Sequence, residues 1–280
     1  MLAYRHAFHA GNHADVLKHT VLTQVLKYMG QKEKAFTLVD THAGAGGYSL
    51  QGRYAQKKGE FEHGIGRLWD RTDAPEAVAE YVALVRRFNA DGGLLQYPGS
   101  PAFGEMLLRR QDHMRLFELH PTDCRILESY LGPLKHVEVR QADGFESLSG
   151  QLPPPSRRGV ILMDPSYELK SDYPRLINTL RESLSRFAEG VFVVWYPQVQ
   201  RLEAAQLPHK LQSLAPKDWL HVRLTVQVPD AQGFGLAGSG VFIYNPPYKL
   251  HDTLLEVMPY LVDVLGQYDD ANFVIEQHTT

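Results

Sequence analysis

Asp164-Pro165-Ser166-Tyr167 directly follows the apolar run Val160-Ile161-Leu162-Met163. A carboxylate, a carbonyl on a stiff turn and an aromatic ring at the tip of a buried strand are the groups needed to grip an amino group on a flat base. The exocyclic nitrogen of adenine is a poor nucleophile because its lone pair is delocalised into the ring. If Asp164 and the Pro165 carbonyl each accept one of its hydrogens, the nitrogen is drawn toward tetrahedral geometry and its lone pair turns to an electrophilic methyl group. Tyr167 is expected to stack on the base and hold it. Asp164 is not expected to deprotonate the amine before attack, because a neutral amine is far too weak an acid; it can take the proton afterwards. The tetrapeptide alone is unspecific, since Pro after Asp is common turn chemistry at a strand end.

Other strand ends add specificity. Phe36 to Asp40 reads as a short apolar strand running into Thr41-His42-Ala43-Gly44-Ala45-Gly46-Gly47-Tyr48. Glycines just past a strand let a nucleoside approach the backbone closely, and a following helix presents free amides. Met114 to Glu118 is a further strand ending in an acid, suited to ribose hydroxyls. Val137 to Arg140 is another, followed by Gln141-Ala142-Asp143-Gly144, where Asp143 can accept from an adenine amino group. Glycine loop, acid, Asp-Gly and Asp-Pro-x-Tyr therefore follow one another at successive strand tips.

With these motifs the chain resembles the class I S-adenosylmethionine-dependent methyltransferases, and among them the adenine-N6 type whose motif is D/N-P-P-Y/F. The opening Met1-Leu2-Ala3-Tyr4-Arg5-His6-Ala7-Phe8-His9-Ala10-Gly11-Asn12-His13 and its continuation to His19 narrow the resemblance, as do Tyr97 to Pro101, Glu118 to Pro121, Ser156 to Gly159 and Trp195-Tyr196-Pro197. It is to the bacterial RlmJ family, which methylates N6 of an adenine in 23S ribosomal RNA and was earlier described as involved in use of external DNA. The resemblance implies an α/β fold with a seven-stranded mixed sheet of Rossmann-like type, S-adenosylmethionine as cofactor and large-subunit ribosomal RNA as partner. It places His42, Ala43, Gly44 and Gly46 at the cofactor's amino-acid end, Glu118 at its ribose, and Asp143 with Gly144 at its adenine. Lys18, His19, Ser100 and Asp164 are implied as further cofactor contacts, and Tyr4, His6 and Tyr167 as contacts to the target base. A paired or stacked adenine would first have to be flipped out to reach Asp164. The family usually has Pro where this chain has Ser166, so residue 165 loses a restriction to extended backbone.

Asn245-Pro246-Pro247-Tyr248 is a more complete version of the same motif. It follows the run Gly238 to Tyr244, late in the chain. In a class I sheet the last strand is antiparallel, so its C-terminal end lies on the side away from the cofactor. A structural turn is expected there.

At 280 residues and 44% hydrophobic, the chain is longer than a bare nucleoside-binding sheet requires. One domain over 1–280 is expected, with a helical subdomain inserted at 49–96, where Ala77, Val78, Tyr81, Val82, Leu84, Val85 and Phe88 recur with helical period. Cys124 is the single cysteine and is expected to pack rather than react. No signal peptide or membrane-spanning run is evident, so a cytoplasmic protein is expected, a monomer with no obligate protein partner.

The net charge of −3 is unevenly spread. Residues 1–60 carry eight Lys or Arg against four Asp or Glu, whereas residues 251–280 carry six acids and neither base. The basic side is a candidate for meeting phosphate, with Arg53, Lys57, Lys58, Arg86 and Arg87 as candidate contacts. His9, His13 and Asp15 have a spacing that metals use on helices, but Gly11-Asn12 reads as a turn and cap, and no metal is expected. Two alternatives to RNA methylation are a DNA-directed enzyme, either a nuclease or a DNA adenine methyltransferase, and a cofactor-binding homologue impaired by Ser166.

Overall fold

The computed structural model describes residues 5–90, 92–214, 218–229 and 235–280; the side chains of Arg53, Gln56 and Lys58 are also outside the description. In chain order the strands are β1 Thr37–Asp40, β2 Gly47–Ser49, β3 Gln96–Pro98, β4 His113–Phe117, β5 Val137–Arg140, β6 Gly159–Met163, β7 Val191–Gln198, β8 Trp219–Thr225, β9 Gly238–Tyr244 and β10 Asn272–His278. The helices are α1 His13–Gly30, α2 Arg53–Lys58, α3 Ile65–Leu68, α4 Glu76–Phe88, α5 Ser100–Leu107, α6 Pro121–Leu131, α7 Gly144–Leu148, α8 Asp172–Arg186, α9 Leu202–Leu214 and α10 Leu250–Leu265.

Eight strands form one sheet in the order β10-β8-β9-β7-β6-β1-β4-β5. Strands β5, β4, β1, β6 and β7 are mutually parallel, while β9 runs antiparallel between β7 and β8. Parallel strands need helices on both faces, and the side chains divide accordingly. Leu38, Leu116, Leu162 and Val193 face one apolar cluster, and Val39, Phe117, Ile161 and Val194 face the other.

Seven strands were expected and eight are present. The additional one, β10, pairs antiparallel with β8 at the sheet's edge. Its sequence ends in Glu276, Gln277 and His278, which are exposed, so it lacks the apolar run that marks the inner strands. The chain between the short ladder strands β2 and β3, which pair Tyr48 with Tyr97, is helical. The periodic residues Ala77, Val78, Tyr81, Val82 and Val85 of α4 are buried and join the core cluster that contains α1.

Helix α1 starts at Asn12, whose side chain accepts from the amides of Ala14 and Asp15. It packs between β9 and the helices α4 and α5. Covered on several sides, it buries Asp15, Lys18 and His19 along with its apolar residues. Charges in such a position must find partners, and they find them at the tips of the parallel strands.

A candidate cofactor and base site at the strand tips

The loop after β1 begins at Asp40, which is fully buried. Its carboxylate accepts from the Ser100 hydroxyl at 2.6 Å and from the His42 amide at 3.1 Å. Burial pushes this carboxyl up to about 7, with those two hydrogen bonds pulling the other way. Gly44 adopts φ +63°, and a Cβ there would stand 2.2 Å from the Tyr48 hydroxyl, so any side chain would be strained and would displace Tyr48. In that conformation the Gly44 amide donates to Glu118 Oε2 at 2.8 Å, while Glu118 Oε1 accepts from the His120 amide at 2.6 Å. Glu118 is thereby fixed at the tip of β4, its carboxyl raised by burial against those same hydrogen bonds.

At the tip of β5, Asp143 Oδ1 caps α7 by accepting from the amides of Phe145 and Glu146. Its Oδ2 accepts from Arg175 of α8 at 2.8 Å. Burial would raise the Asp143 carboxyl, but the Arg175 hydrogen bond and charge, with the two amides, hold it below the usual range. A Cβ on Gly144 would lie 1.9 Å from the Thr41 carbonyl, so this glycine lets α7 start against the tip of β1.

A cavity of about 220 Å³ runs along these tips. Lys18, His19, His42, Ala43, Gly44, Ser100, Glu118, Asp143, Gly144 and Asp164 all line it. Gly46 does not; at φ +81° it turns the chain behind the wall, where a Cβ would meet Leu127. Tyr4 lies outside the described residues. The donor set suits a nucleoside bearing an amino acid. Glu118 keeps unused lone pairs for hydroxyls, Asp143 Oδ2 keeps one for an amine, and the buried Nε2 of His19 has no partner among the described residues.

Lys18 sits between two carboxylates, 2.9 Å from Asp15 Oδ1 and 2.5 Å from Asp164 Oδ2. Burial alone would lower its ammonium, but the two negative charges raise it above the ordinary value, so it is a fixed cation. Asp15 is also bound by His6 at 2.8 Å and by the Gly11 amide at 2.9 Å. Burial raises the Asp164 carboxyl, and Lys18 opposes that by charge and hydrogen bond. Asp164 Oδ1 and the Pro165 carbonyl have no hydrogen-bond donor among the described residues. Two acceptors on consecutive residues are thus free to face an incoming amine.

A second cavity, of about 500 Å³, shares His6, Lys18, Asp164, Ser166 and Glu168 with the first. Tyr167 and Trp195 form its aromatic wall. Tyr167 takes φ +52°, a conformation costing on the order of 1–3 kcal/mol for a non-glycine residue. It is held there by its hydroxyl, which donates to the Trp195 carbonyl at 2.7 Å, and by Arg201, which donates to the Tyr167 carbonyl at 2.9 Å. The Ser166 hydroxyl accepts from the Glu168 amide at 3.4 Å, a local bond that proline could not make.

Several readings of the sequence find other partners here. His9 binds Glu60 at 2.8 Å and Asp15 binds Lys18 and His6, so these two residues of the metal-like spacing are committed to different groups; the buried Nδ1 of His13 has no partner among the described residues. Arg86 stacks on Trp69, 5.1 Å from the ring centroid, within the 49–96 segment. Asn245 donates to the carbonyls of Ala188 and Gly190, just before β7 and at the opposite end of the parallel strands from Asp164, and Tyr248 is 88% exposed. Asp40, Arg175, Trp195 and Arg201 escaped sequence reasoning. An acid ending a strand before a glycine loop could have flagged Asp40; Trp195 stood in the resemblance only as part of Trp195-Tyr196-Pro197, without a role, and no local signal marks Arg175 or Arg201.

The strand order, with a glycine loop, an acid and an Asp-Pro turn on neighbouring parallel tips, defines a class I methyltransferase. A profile of the family described as ribosomal RNA large subunit methyltransferase D, RlmJ, matches residues 33–275, and the chain belongs to this family. It is 44% identical over 261 residues to ribosomal RNA large subunit methyltransferase J of Escherichia coli K12, covering 93% of each chain. To the Haemophilus influenzae protein of the same name it is 42% identical, covering 99% of this chain and 98% of that one. A crystal structure of a Legionella pneumophila protein superposes with a TM-score of 0.89 at 34% identity, covering 97% of this chain and 99% of that one.

Proposed function

We propose that this enzyme transfers a methyl group from S-adenosylmethionine to N6 of an adenine in 23S ribosomal RNA. The observation that carries this reading is the pair of free acceptors, Asp164 Oδ1 and the Pro165 carbonyl, where the two cavities meet. S-adenosylmethionine, when bound, supplies an electrophilic methyl group. Glu118 holds ribose hydroxyls, Asp143 accepts from the cofactor's adenine amine, and Ser100 and His42, tied to Asp40, shape the amino-acid end. Lys18 opposes the rise that burial imposes on the Asp164 carboxyl and turns one of its oxygens aside, leaving the other for the target amine. The Tyr167 and Trp195 rings offer the flipped base an apolar wall in the second cavity.

The large-subunit ribosomal RNA substrate rests on the names of the two relatives, which are similar to this chain over nearly their whole length. Segment 49–96 is read as an inserted subdomain and the chain as a cytoplasmic monomer; no helix among the described residues is long and apolar enough to cross a membrane. The experiment is transfer of tritiated methyl from the cofactor to transcribed 23S RNA, with nucleoside analysis of the product. N6-methyladenosine is expected. Label on DNA alone, or on another base, would refute the reading.

A further inference from the structure

His19 of α1 is buried, lines the cofactor cavity and is reached by a chain of two tyrosines. Its Nδ1 lies 2.8 Å from the Tyr97 hydroxyl, which in turn lies 2.9 Å from the Tyr81 hydroxyl of α4. Both tyrosines are fully buried, and burial lifts both phenols well above their ordinary value, so both keep their hydrogens. Two hydrogen bonds then have to be filled. If Nδ1 carries the imidazole hydrogen, three hydrogens compete for two places, and a hydroxyl is left buried without an acceptor, which interiors avoid. If Nε2 carries it, the two hydroxyl hydrogens fill both places, from Tyr81 to Tyr97 and from Tyr97 to His19. The hydrogen on Nε2 is then the only one without a protein acceptor, on a nitrogen that has no partner among the described residues. Burial, with the Lys18 charge next, holds the imidazole well below its ordinary value, so the ring is neutral.

The group that Nε2–H would meet is anionic. Gly99 and Ser100 line the same cavity and open α5, whose N-terminus has no side-chain cap. Of the first amides of α5, those of Ala102 and Phe103 donate to the Gly99 carbonyl and Pro101 has none, which leaves the Ser100 amide. That amide, at the positive end of the helix, and a neutral N–H donor lining the same cavity favour negative charge. The Lys18 cation is already matched by two carboxylates, and the anionic group of S-adenosylmethionine is its carboxylate. We propose that Tyr97 is a positioning residue that holds His19 as an Nε2–H donor to the cofactor's carboxylate. This rests on the cofactor occupying the first cavity. The 49–96 segment, through Tyr81, continues the chain that ends on the cofactor.

The test uses the full chain with ¹⁵N-labelled histidine, His19 being assigned by difference against His19→Gln. In the ligand-free wild type the ring nitrogens should show a neutral imidazole protonated at Nε2. An Nδ1-protonated or doubly protonated ring would overturn the proposal, whether or not any variant folds. In calorimetry Tyr97→Phe should weaken S-adenosylhomocysteine about tenfold, the loss of one well-placed charge-assisted hydrogen bond. It should leave 5′-methylthioadenosine, which lacks the carboxylate, within about twofold. Tyr81→Phe deletes a hydroxyl from the same core but leaves Tyr97 to donate, so it should leave both affinities and the tautomer unchanged. Equal losses for both ligands in Tyr97→Phe, or no loss, would refute the role. Failure of the wild type to bind S-adenosylhomocysteine would instead refute the cofactor reading.

Discussion

Asp164 accepts the amine's hydrogens most strongly as the nitrogen changes shape, so its effect falls on the rate more than on cofactor affinity. Asp164→Ala should lower single-turnover methyl transfer by about 10²–10⁴-fold and keep S-adenosylhomocysteine affinity within about tenfold. Asn245→Ala should leave turnover unchanged, because that side chain ties down the far end of β7. The reverse pattern would move the chemistry to the other tetrapeptide. Lys18 opposes the rise that burial imposes on Asp164, so removing it lets that carboxyl rise further and carries the acid limb of the pH–rate profile to higher pH. Asp15→Asn/Lys18→Met tests this effect without stranding a second buried carboxylate; the lost Asp15 charge, a smaller influence that itself raises Asp164, offsets part of the shift, and an unmoved acid limb would show that Asp164 ionisation does not limit the rate. Ser166→Pro restricts residue 165 to extended backbone and, among the described residues, gives up one long hydrogen bond from the Glu168 amide, together with a hydroxyl that lines both cavities. It should hold or raise the methylation rate with cofactor affinity unchanged; a folded variant that is markedly slower would give Ser166 a role of its own. These residues were legible because each sits at a strand end, where sequence and position are linked. The Lys18–Asp164 pair was not, since its members are 146 positions apart and nothing local announces the contact.

At the scale of elements, the closest approach in the site is that of α7 to the tip of β1. Gly144→Ala would force a methyl group to within 1.9 Å of the Thr41 carbonyl, and the backbone must move to admit it. A loss of about 2–4 kcal/mol is expected in denaturant unfolding, together with weakened cofactor binding, because Thr41 and Gly144 both line the cavity. A neutral substitution would mean that α7 is free to shift. The inner strands announced themselves by continuous apolar runs, as expected for strands covered on both faces. Helix α4 did so by its period. Strand β10 was missed because an edge strand with only Phe273 and Ile275 packed against the core and Glu276 to His278 exposed carries no long apolar run, and α1 gave no amphipathic stripe because it is enclosed by both sheet and helices. The acids of the last thirty residues, taken for one pole of a charge asymmetry, include Glu276, which binds the buried His221 at 2.9 Å and ties β10 to β8.

For the whole molecule, stability should depend on pH through groups buried in the less favourable charge state. Burial pushes His13 and His42 down to about 4 from an ordinary 6.5. The unfolded chain therefore binds more protons below 6.5, and the stability these residues contribute is complete above that pH and is lost as pH falls toward 4. Asp40 works in the opposite sense. Its carboxyl is raised from 3.8 to about 7, so its contribution is complete below 3.8 and is lost as pH rises through 7. Thermal melts should show Tm falling between pH 6.5 and 4. The difference in Tm between Asp40→Asn and the wild type should shift in favour of the variant from pH 5 to pH 8; a constant difference would mean that Asp40 does not titrate in this range.

Helix α1, spanning His13–Gly30, packs against β9, spanning Gly238–Tyr244. During synthesis at about 5–20 residues per second, roughly 10–40 seconds separate the two. For that interval Asp15, Lys18 and His19 belong to a nascent segment whose partner strand does not yet exist. A fragment ending before β9 would contain the tips of β1, β4, β5 and β6 with α4 and α5, but would lack the strand against which α1 packs on its sheet side. The side of α1 that lies against the sheet is therefore closed only once β9 has been made, although α4 and α5 are already there to receive its other sides.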